Sequence, residues 1–210
     1  LLLNFKYITF VGNMEEFNRL LEVADTLLGP NGCPWDKEQT IFTLQPYLLE
    51  ETHELIEAID AQDPEKIKEE LGDVLYALVF IAKLSEGFTL PAAIRSVAEK
   101  LIRRHPHIFG DLKIESSEDV ARNWEELKKK EGKKSPIEGI PPTLPSLSRA
   151  QKVVSKLRRA RHLQKGESSL RSEEELGEKL WHLVKEADAA GIDAESALRR
   201  FCLAQENLLK

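Results

Sequence analysis

Cysteine is scarce in this sequence. Cys33 and Cys202 stand alone, near opposite ends of a 210-residue chain. Two such residues draw no disulfide framework, so a reducing, cytoplasmic setting is expected. Long apolar runs are also missing. The longest, Val74 to Ala82, is far too short to span a membrane. The N-terminal stretch Leu1 to Val11 is broken by Asn4 and Lys6. It lacks the cationic start and small-residue cleavage site of a signal peptide, and no initiating methionine precedes it. It reads as a flexible lead-in or part of an extended translation start. Glycine (11) and proline (10) are too few for a fibrous or disordered chain. Excess positive charge is absent as well. The formal charge of -6 argues against a nucleic-acid partner, whose phosphates want a basic face. It leaves room for a phosphorylated small ligand that carries a cation. No phosphate-cradling Gly-x-x-x-x-Gly-Lys loop and no dinucleotide fingerprint occurs. Nor does any useful length alternate with the period of a half-buried strand.

What is present is helical periodicity on a chain that is 41% apolar, enough for a core. Phe17, Leu20, Leu21, Ala24, Leu27 and Leu28 mark a first helix over 13–28, which Gly29-Pro30-Asn31-Gly32 stops. A second helix is expected over 43–61. Asp63 caps a third, over 64–85, with Pro64 at its first position. A fourth runs over 90–104 until Pro106. A fifth, over 117–131, is capped by Ser116 or Ser117. Gly132 to Leu147 holds Pro136, Pro141, Pro142 and Pro145 and reads as a linker. Three more helices are expected over 148–163, 173–190 and 194–209. The organisation is therefore a first domain over 13–131, a linker over 132–147 and a second domain over 148–210. The second domain echoes the first: Glu70-Leu71-Gly72-Asp73 reappears as Glu175-Leu176-Gly177-Glu178.

The acids of the first domain carry the chemistry. On the second helix Glu50, Glu54 and Glu57 share a stripe and Glu51 flanks it. Leu48, Leu55 and Ile59 lie opposite. The apolar run Val74 to Ala82 predicts a third helix buried nearly all round. Glu70 and Asp73 stand at its entrance, with Lys66 one turn earlier. Charges at the mouth of a buried helix need partners. A short break between the two helices makes them antiparallel neighbours, so their acidic faces meet. Carboxylates so placed repel, and a divalent cation relieves that. Mg²⁺ suits an all-carboxylate set, whereas zinc prefers nitrogen or sulfur. A solvated acidic face and a partner-binding acidic patch are the competing readings.

The basic residues Lys100, Arg103 and Arg104 close the fourth helix. They suit the oxygens of a metal-bound triphosphate, and equally they suit a helix dipole. His105 and His107 read as loop or capping groups. Trp35 either stacks on a base or plugs the end of the bundle. Trp124 reads first as a core residue.

Taken together, these stretches resemble the MazG family of nucleoside triphosphate pyrophosphohydrolases. The matching segments are GCPWDKEQT (32–40), YLLEETHELIEAID (47–60), EELGDVLYALVF (69–80), EKLIRRHPHIFGD (99–111) and NWEELKKKE (123–131). The resemblance implies an all-α antiparallel helical bundle of the MazG type, completed by dimerisation. It implies Mg²⁺-dependent cleavage of nucleoside triphosphates to the monophosphate and pyrophosphate. Glu50, Glu51 and Glu54 match the first acidic motif, and Glu70 and Asp73 the second. Glu51, Glu54, Glu70 and Asp73 are the implied metal ligands. The base is left between Glu50 and Glu51. Lys100 and Arg104 look like the phosphate-contacting pair, with Arg103 beside them and Lys66 as an addition. Trp124 looks like a nucleobase neighbour. In the second domain Ser155, Lys156 and Arg159 replace the first three acids, so the copy is degenerate. Two rivals remain. One is a non-catalytic helical scaffold for dimerisation or regulator binding. The other is a pyrophosphohydrolase dedicated to a single nucleotide, such as dUTP or phosphoribosyl-ATP.

Overall fold

The computed structural model describes residues 14–114, 116–132, 135, 137–160, 163–164, 166 and 168–207. The N-terminal lead-in lies outside them. The described residues form helices and no strand. These are α1 (Glu15–Leu28), α2 (Pro34–Lys37), α3 (Gln45–Asp60), α4 (Pro64–Leu84), α5 (Leu90–Arg104), α6 (Pro106–Phe109), α7 (Ser117–Lys130), α8 (Ser146–Arg159), α9 (Glu173–Ala189) and α10 (Ala194–Asn207). The all-α expectation holds. The short α2 and α6 fall where loops were expected. Each opens on a proline, Pro34 and Pro106, whose fixed φ suits a first helical position. The chain divides into two compact units, one ending at Lys100 and the other starting at Leu101.

In the first unit, local chemistry sets each reversal. A Cβ at Gly32 would lie 2.0 Å from the Leu27 carbonyl oxygen, so only glycine closes this turn. The tight turn lets the Cys33 N–H bond that same carbonyl at 2.9 Å. Between α3 and α4, Gln62 takes the left-handed conformation at φ 54°. Asp63 then caps α4, its carboxylate accepting from the N–H groups of Glu65 and Lys66. α4 packs on α3 along its length and on α1, where Lys83 pairs with Asp25 at 2.6 Å. Ala24, Ala58, Ala77, Val79 and Phe80 are buried.

One expectation needs correction. α4 is not buried all round. Leu71, Leu75 and Leu78 form a stripe along one side and are exposed. Within the first unit α4 has α1 and α3 as packing neighbours, and two helices cannot enclose a third. Leu49, Ile56 and Ile59 of α3 are exposed too, and no residue of α5 is buried.

In the second unit, Ile137 and Ile140 pack with Val153 and Leu157 of α8. Part of the proline-rich segment thus contributes to a core. Glu195 accepts from both the backbone N–H (2.8 Å) and hydroxyl (2.6 Å) of Ser146, so a residue from α10 holds the start of α8. Further along, Arg149 and Glu206 form a two-pronged pair at 2.9 and 2.8 Å, with side chains only 7% and 10% exposed. The remaining Arg149 prong donates to the Pro141 carbonyl at 2.8 Å. Removing one member strands a buried charge. We therefore expect Glu206→Ala to lower unfolding stability by about 3–5 kcal/mol in urea titrations, and the double change Arg149→Met, Glu206→Leu to cost much less. An equal loss in both would show that packing, not charge, holds α8 to α10.

Candidate functional site

The acids meet because of the α3–α4 register. Glu51 feels Asp73 as its strongest acidic neighbour, and Glu70 feels Glu54. In both pairs one number rises as the other falls, which only antiparallel helices allow. On α4, Glu70, Asp73, Ala77 and Phe80 share a stripe: the acids lead and the buried residues follow. On α3, Glu51, Glu54 and Ala58 do the same. Each stripe therefore passes from acidic to apolar along its own helix, and since the helices run antiparallel the acids meet between Ala58 on one side and Ala77 and Phe80 on the other.

Glu51, Glu70 and Asp73 each place one carboxylate oxygen so that all three lie within 4.8 Å of one another. Glu51 and Glu70 are half-buried and Asp73 is exposed. Burial first, and then Asp73, Glu54 and Glu50, push the Glu51 carboxyl above its ordinary range. Burial likewise raises Glu70, followed by Glu54, Glu69, Asp73 and Glu51. Three oxygens at this spacing can chelate a divalent cation. Glu54 is exposed but close enough to act on both raised groups, and Glu50 acts on Glu51. The helical wheel put Glu51 at the edge of the acidic stripe. The structure puts it at the centre, because contact with α4 decides which side of α3 is the inner one.

The basic and aromatic residues occupy other places. Lys66 and Lys100 are exposed, and among the described residues no hydrogen bond or ion pair reaches either ammonium. Arg103 and Arg104, in the second unit, both donate to Glu131. The Arg104 guanidinium lies 5.2 Å from the centroid of the Trp124 ring. The edge of His105 meets the same ring, with centroids 5.2 Å apart. His105 Nδ1 lies 2.7 Å from the Leu101 carbonyl and must donate to it, which makes it a cap at the end of α5, as expected. Trp35 is 48% exposed and meets Tyr47 edge-on at 5.5 Å. A plug would be buried, so that reading fails.

Sequence reasoning missed Glu131. Its two arginine partners hold its carboxyl at a pKa of about 2. A signal was available, for an acid just past a helix C-terminus opposes the dipole and needs another reason to be there.

The second unit uses its echo differently. Glu175 accepts from the Arg171 N–H at 2.9 Å and from Lys179 at 2.6 Å, and Ser172 caps the helix. Lys179 therefore lowers the Glu175 pKa. Among the described residues no second acidic grouping of metal-binding spacing occurs.

The raised carboxyls give a linkage with a definite sign. A folded state that raises a carboxyl pKa loses stability as pH rises through that value. In chelator the protein should melt lower as pH rises from 4.5 toward neutrality, in the part of the curve set by Glu51 and Glu70. A divalent cation should reverse this, adding roughly 1.4 kcal/mol, or a few degrees, at ten times its dissociation constant. Asp73→Asn should melt no lower than the parent in chelator and should lose the cation response. Calorimetry showing the same metal-induced shift in the variant would disprove the chelating role of Asp73.

Comparison with known proteins places the chain. Residues 39–109 match the MazG nucleotide pyrophosphohydrolase domain. The chain is 38% identical over 208 residues to the nucleoside triphosphate pyrophosphohydrolase/pyrophosphatase MazG of Thermotoga maritima, covering 88% of this chain and 80% of that protein. It is 43% identical over 148 residues to the nucleoside triphosphate pyrophosphohydrolase of Escherichia coli, covering 67% of this chain and 56% of that one. The chain spans only 30% of a Bacillus subtilis relative, YabN, to which it is 44% identical over 145 residues. The crystal structure of a mazG-related protein from Thermotoga maritima aligns at 37% identity and a TM-score of 0.47, over 53% of this chain and 98% of that one. With identity running through four-fifths of the Thermotoga pyrophosphohydrolase, and the domain match spanning both acidic helices, the chain belongs to the MazG family.

Proposed function

We propose that this protein is a Mg²⁺-dependent nucleoside triphosphate pyrophosphohydrolase, releasing the monophosphate and pyrophosphate. The observation that carries the reading is the cluster of Glu51, Glu70 and Asp73, three oxygens within 4.8 Å of one another. Among the described residues no side-chain ammonium or guanidinium pairs with them. A hard cation that prefers oxygen and retains some waters suits this set. Glu51, Glu54, Glu70 and Asp73 are its ligands in this reading. When bound, it supplies positive charge for the departing pyrophosphate and a lower pKa for the attacking water. The proton acceptor from that water is one of Glu50 and Glu51. Lys66, Lys100, Arg103 and Arg104 take phosphate oxygens, and Trp124 and Trp35 offer ring faces to the base. The relatives' names support the same reaction class. The catalytic domain is 13–131, and the second domain is structural or regulatory, since Lys179 already satisfies Glu175.

The chemical test is a product-resolved assay over a nucleotide panel with Mg²⁺. Pyrophosphate and monophosphate are the expected products. Glu70→Gln and Asp73→Asn should each cost several kcal/mol of transition-state stabilisation, roughly a hundredfold or more in rate, with unchanged circular dichroism. Orthophosphate and diphosphate as products would place attack at the terminal phosphorus and refute the reading. No product at all would favour the scaffold. Turnover of one nucleotide alone would favour the dedicated enzyme.

We also propose that the chain works as a homodimer. Its support is the exposed apolar surface of Leu71, Leu75 and Leu78 on α4, with Ile94 and Val97 on α5. Surface of this kind is costly to leave in water. Light scattering should give twice the chain mass at micromolar concentration, and Leu75→Glu should shift it to the monomer. A parent that scatters as a monomer would remove the proposal.

A further inference from the structure

Glu131 follows the last residue of α7, where the helix dipole disfavours negative charge. Its carboxylate nevertheless receives both arginines that end α5. Arg103 Nε donates to it at 2.8 Å, Arg104 Nε at 3.2 Å, and Arg104 Nη2 donates as well. The Arg104 side chain is only 14% exposed and lies over Trp124, whereas Arg103 is 56% exposed. Two guanidiniums thus converge on one carboxylate, Arg104 through two nitrogens and Arg103 through one. A guanidinium fork recognises carboxylate and phosphate oxygens by the same geometry. Two positive groups against one negative group leave the cluster with excess positive charge, which a more highly charged anion would neutralise better.

We propose that Glu131 is an internal stand-in for a polyphosphate, occupying Arg103 and Arg104 until the polyphosphate of a ligand displaces it. The proposal rests on the reading that these arginines take phosphate oxygens, and deepens it. Glu131 and ligand then compete for the same donors. The ligand's apparent affinity falls by the fraction of molecules whose clamp is open. Partly exposed ion pairs are weak, so an anion with several charged oxygens can win this competition. Glu131 stays ionised at every pH near neutrality, so the clamp opens by displacement and not by protonation. While it is closed, Arg104 is held over the face of Trp124, so displacement alters the surroundings of that ring.

Fluorine NMR of the full chain labelled with 5-fluorotryptophan reads this directly. The three tryptophans give three resonances, and Trp124→Phe assigns one of them. The probe is inorganic tripolyphosphate in chelator, which needs neither turnover nor metal. In the parent the Trp124 resonance should shift and saturate. In Glu131→Gln and in Glu131→Ala it should saturate at roughly three- to tenfold lower concentration. The double change Arg103→Gln, Arg104→Gln should abolish the shift. Equal or weaker binding in either Glu131 variant would make Glu131 a strut that orients the arginines, and would overturn the proposal. So would a parent whose Trp124 resonance ignores the probe. Failure of the parent to hydrolyse triphosphates would defeat the proposed function but would leave this titration readable.

Discussion

Repulsion across the α3–α4 seam is the constraint around which the first unit is arranged. Glu51, Glu54, Glu70 and Asp73 face one another there, with Glu50 and Glu69 close by. Burial, and then this repulsion, raise the Glu51 and Glu70 carboxyls above their ordinary range. The seam holds because it is apolar on both sides of the acids: Ala58 is buried toward the reversal, and Ala77 and Phe80 are buried toward the far end. The reversal fixes the register, through left-handed Gln62 and the Asp63 cap. A slip of one turn along either helix would set acids against the apolar residues on one side or the other, which no cation could rescue.

Much of this was legible in the sequence, for identifiable reasons. The Asp63-Pro64 cap is local chemistry, and local chemistry survives folding. The short reversal required antiparallel neighbours, and the acidic motifs followed from spacing. Two things were not legible. A helical wheel has no inside, so it ranked Glu50, Glu54 and Glu57 together and left Glu51 at the margin. Contact with α4 reverses that order. Likewise the apolar row from Val74 to Ala82 says that a helix wants burial on all sides, but not whether its own chain provides it. α1 and α3 cover one side, and Leu71, Leu75 and Leu78 stay exposed. The clamp on Arg103 and Arg104 was hidden for a simpler reason: Glu131 lies 27 residues from Arg104, beyond any local pattern.

The echo between the halves shows how little separates an acidic site from an ordinary helix start. Glu70-Leu71-Gly72-Asp73 and Glu175-Leu176-Gly177-Glu178 are nearly the same tetrapeptide. Val74 follows the first and Lys179 the second. That lysine, one turn beyond Glu175, supplies in the chain itself the positive charge that Glu70 lacks. Position matters as much. α9 begins two residues before Glu175, so this acid takes part in ordering the helix entrance, through the Arg171 N–H. α4 begins six residues before Glu70, and Asp63 has already done that work. Glu70 is left inside a helix, half-buried, with acids around it and no structural duty that its charge performs.

The same contrast separates the acidic and basic residues of the candidate site. Glu51 and Glu70 have raised carboxyls and no cationic partner among the described residues, so their charge is held unfavourably and a cation would relieve it. The arginines are in the opposite condition. Their charge is met by Glu131, whose pKa is depressed to about 2 because it is so well compensated. The protein does not treat the two signs of charge alike. A cation at the carboxylates would relieve repulsion outright. A polyphosphate at the arginines must, in the proposal above, first displace a carboxylate. Discrimination between anions therefore rests on the basic side. An anion with few charges has little advantage over Glu131, whereas a chain of phosphates brings several oxygens to two arginines at once. An internal competitor at the arginines, as proposed, would thus favour long polyphosphates over monophosphates.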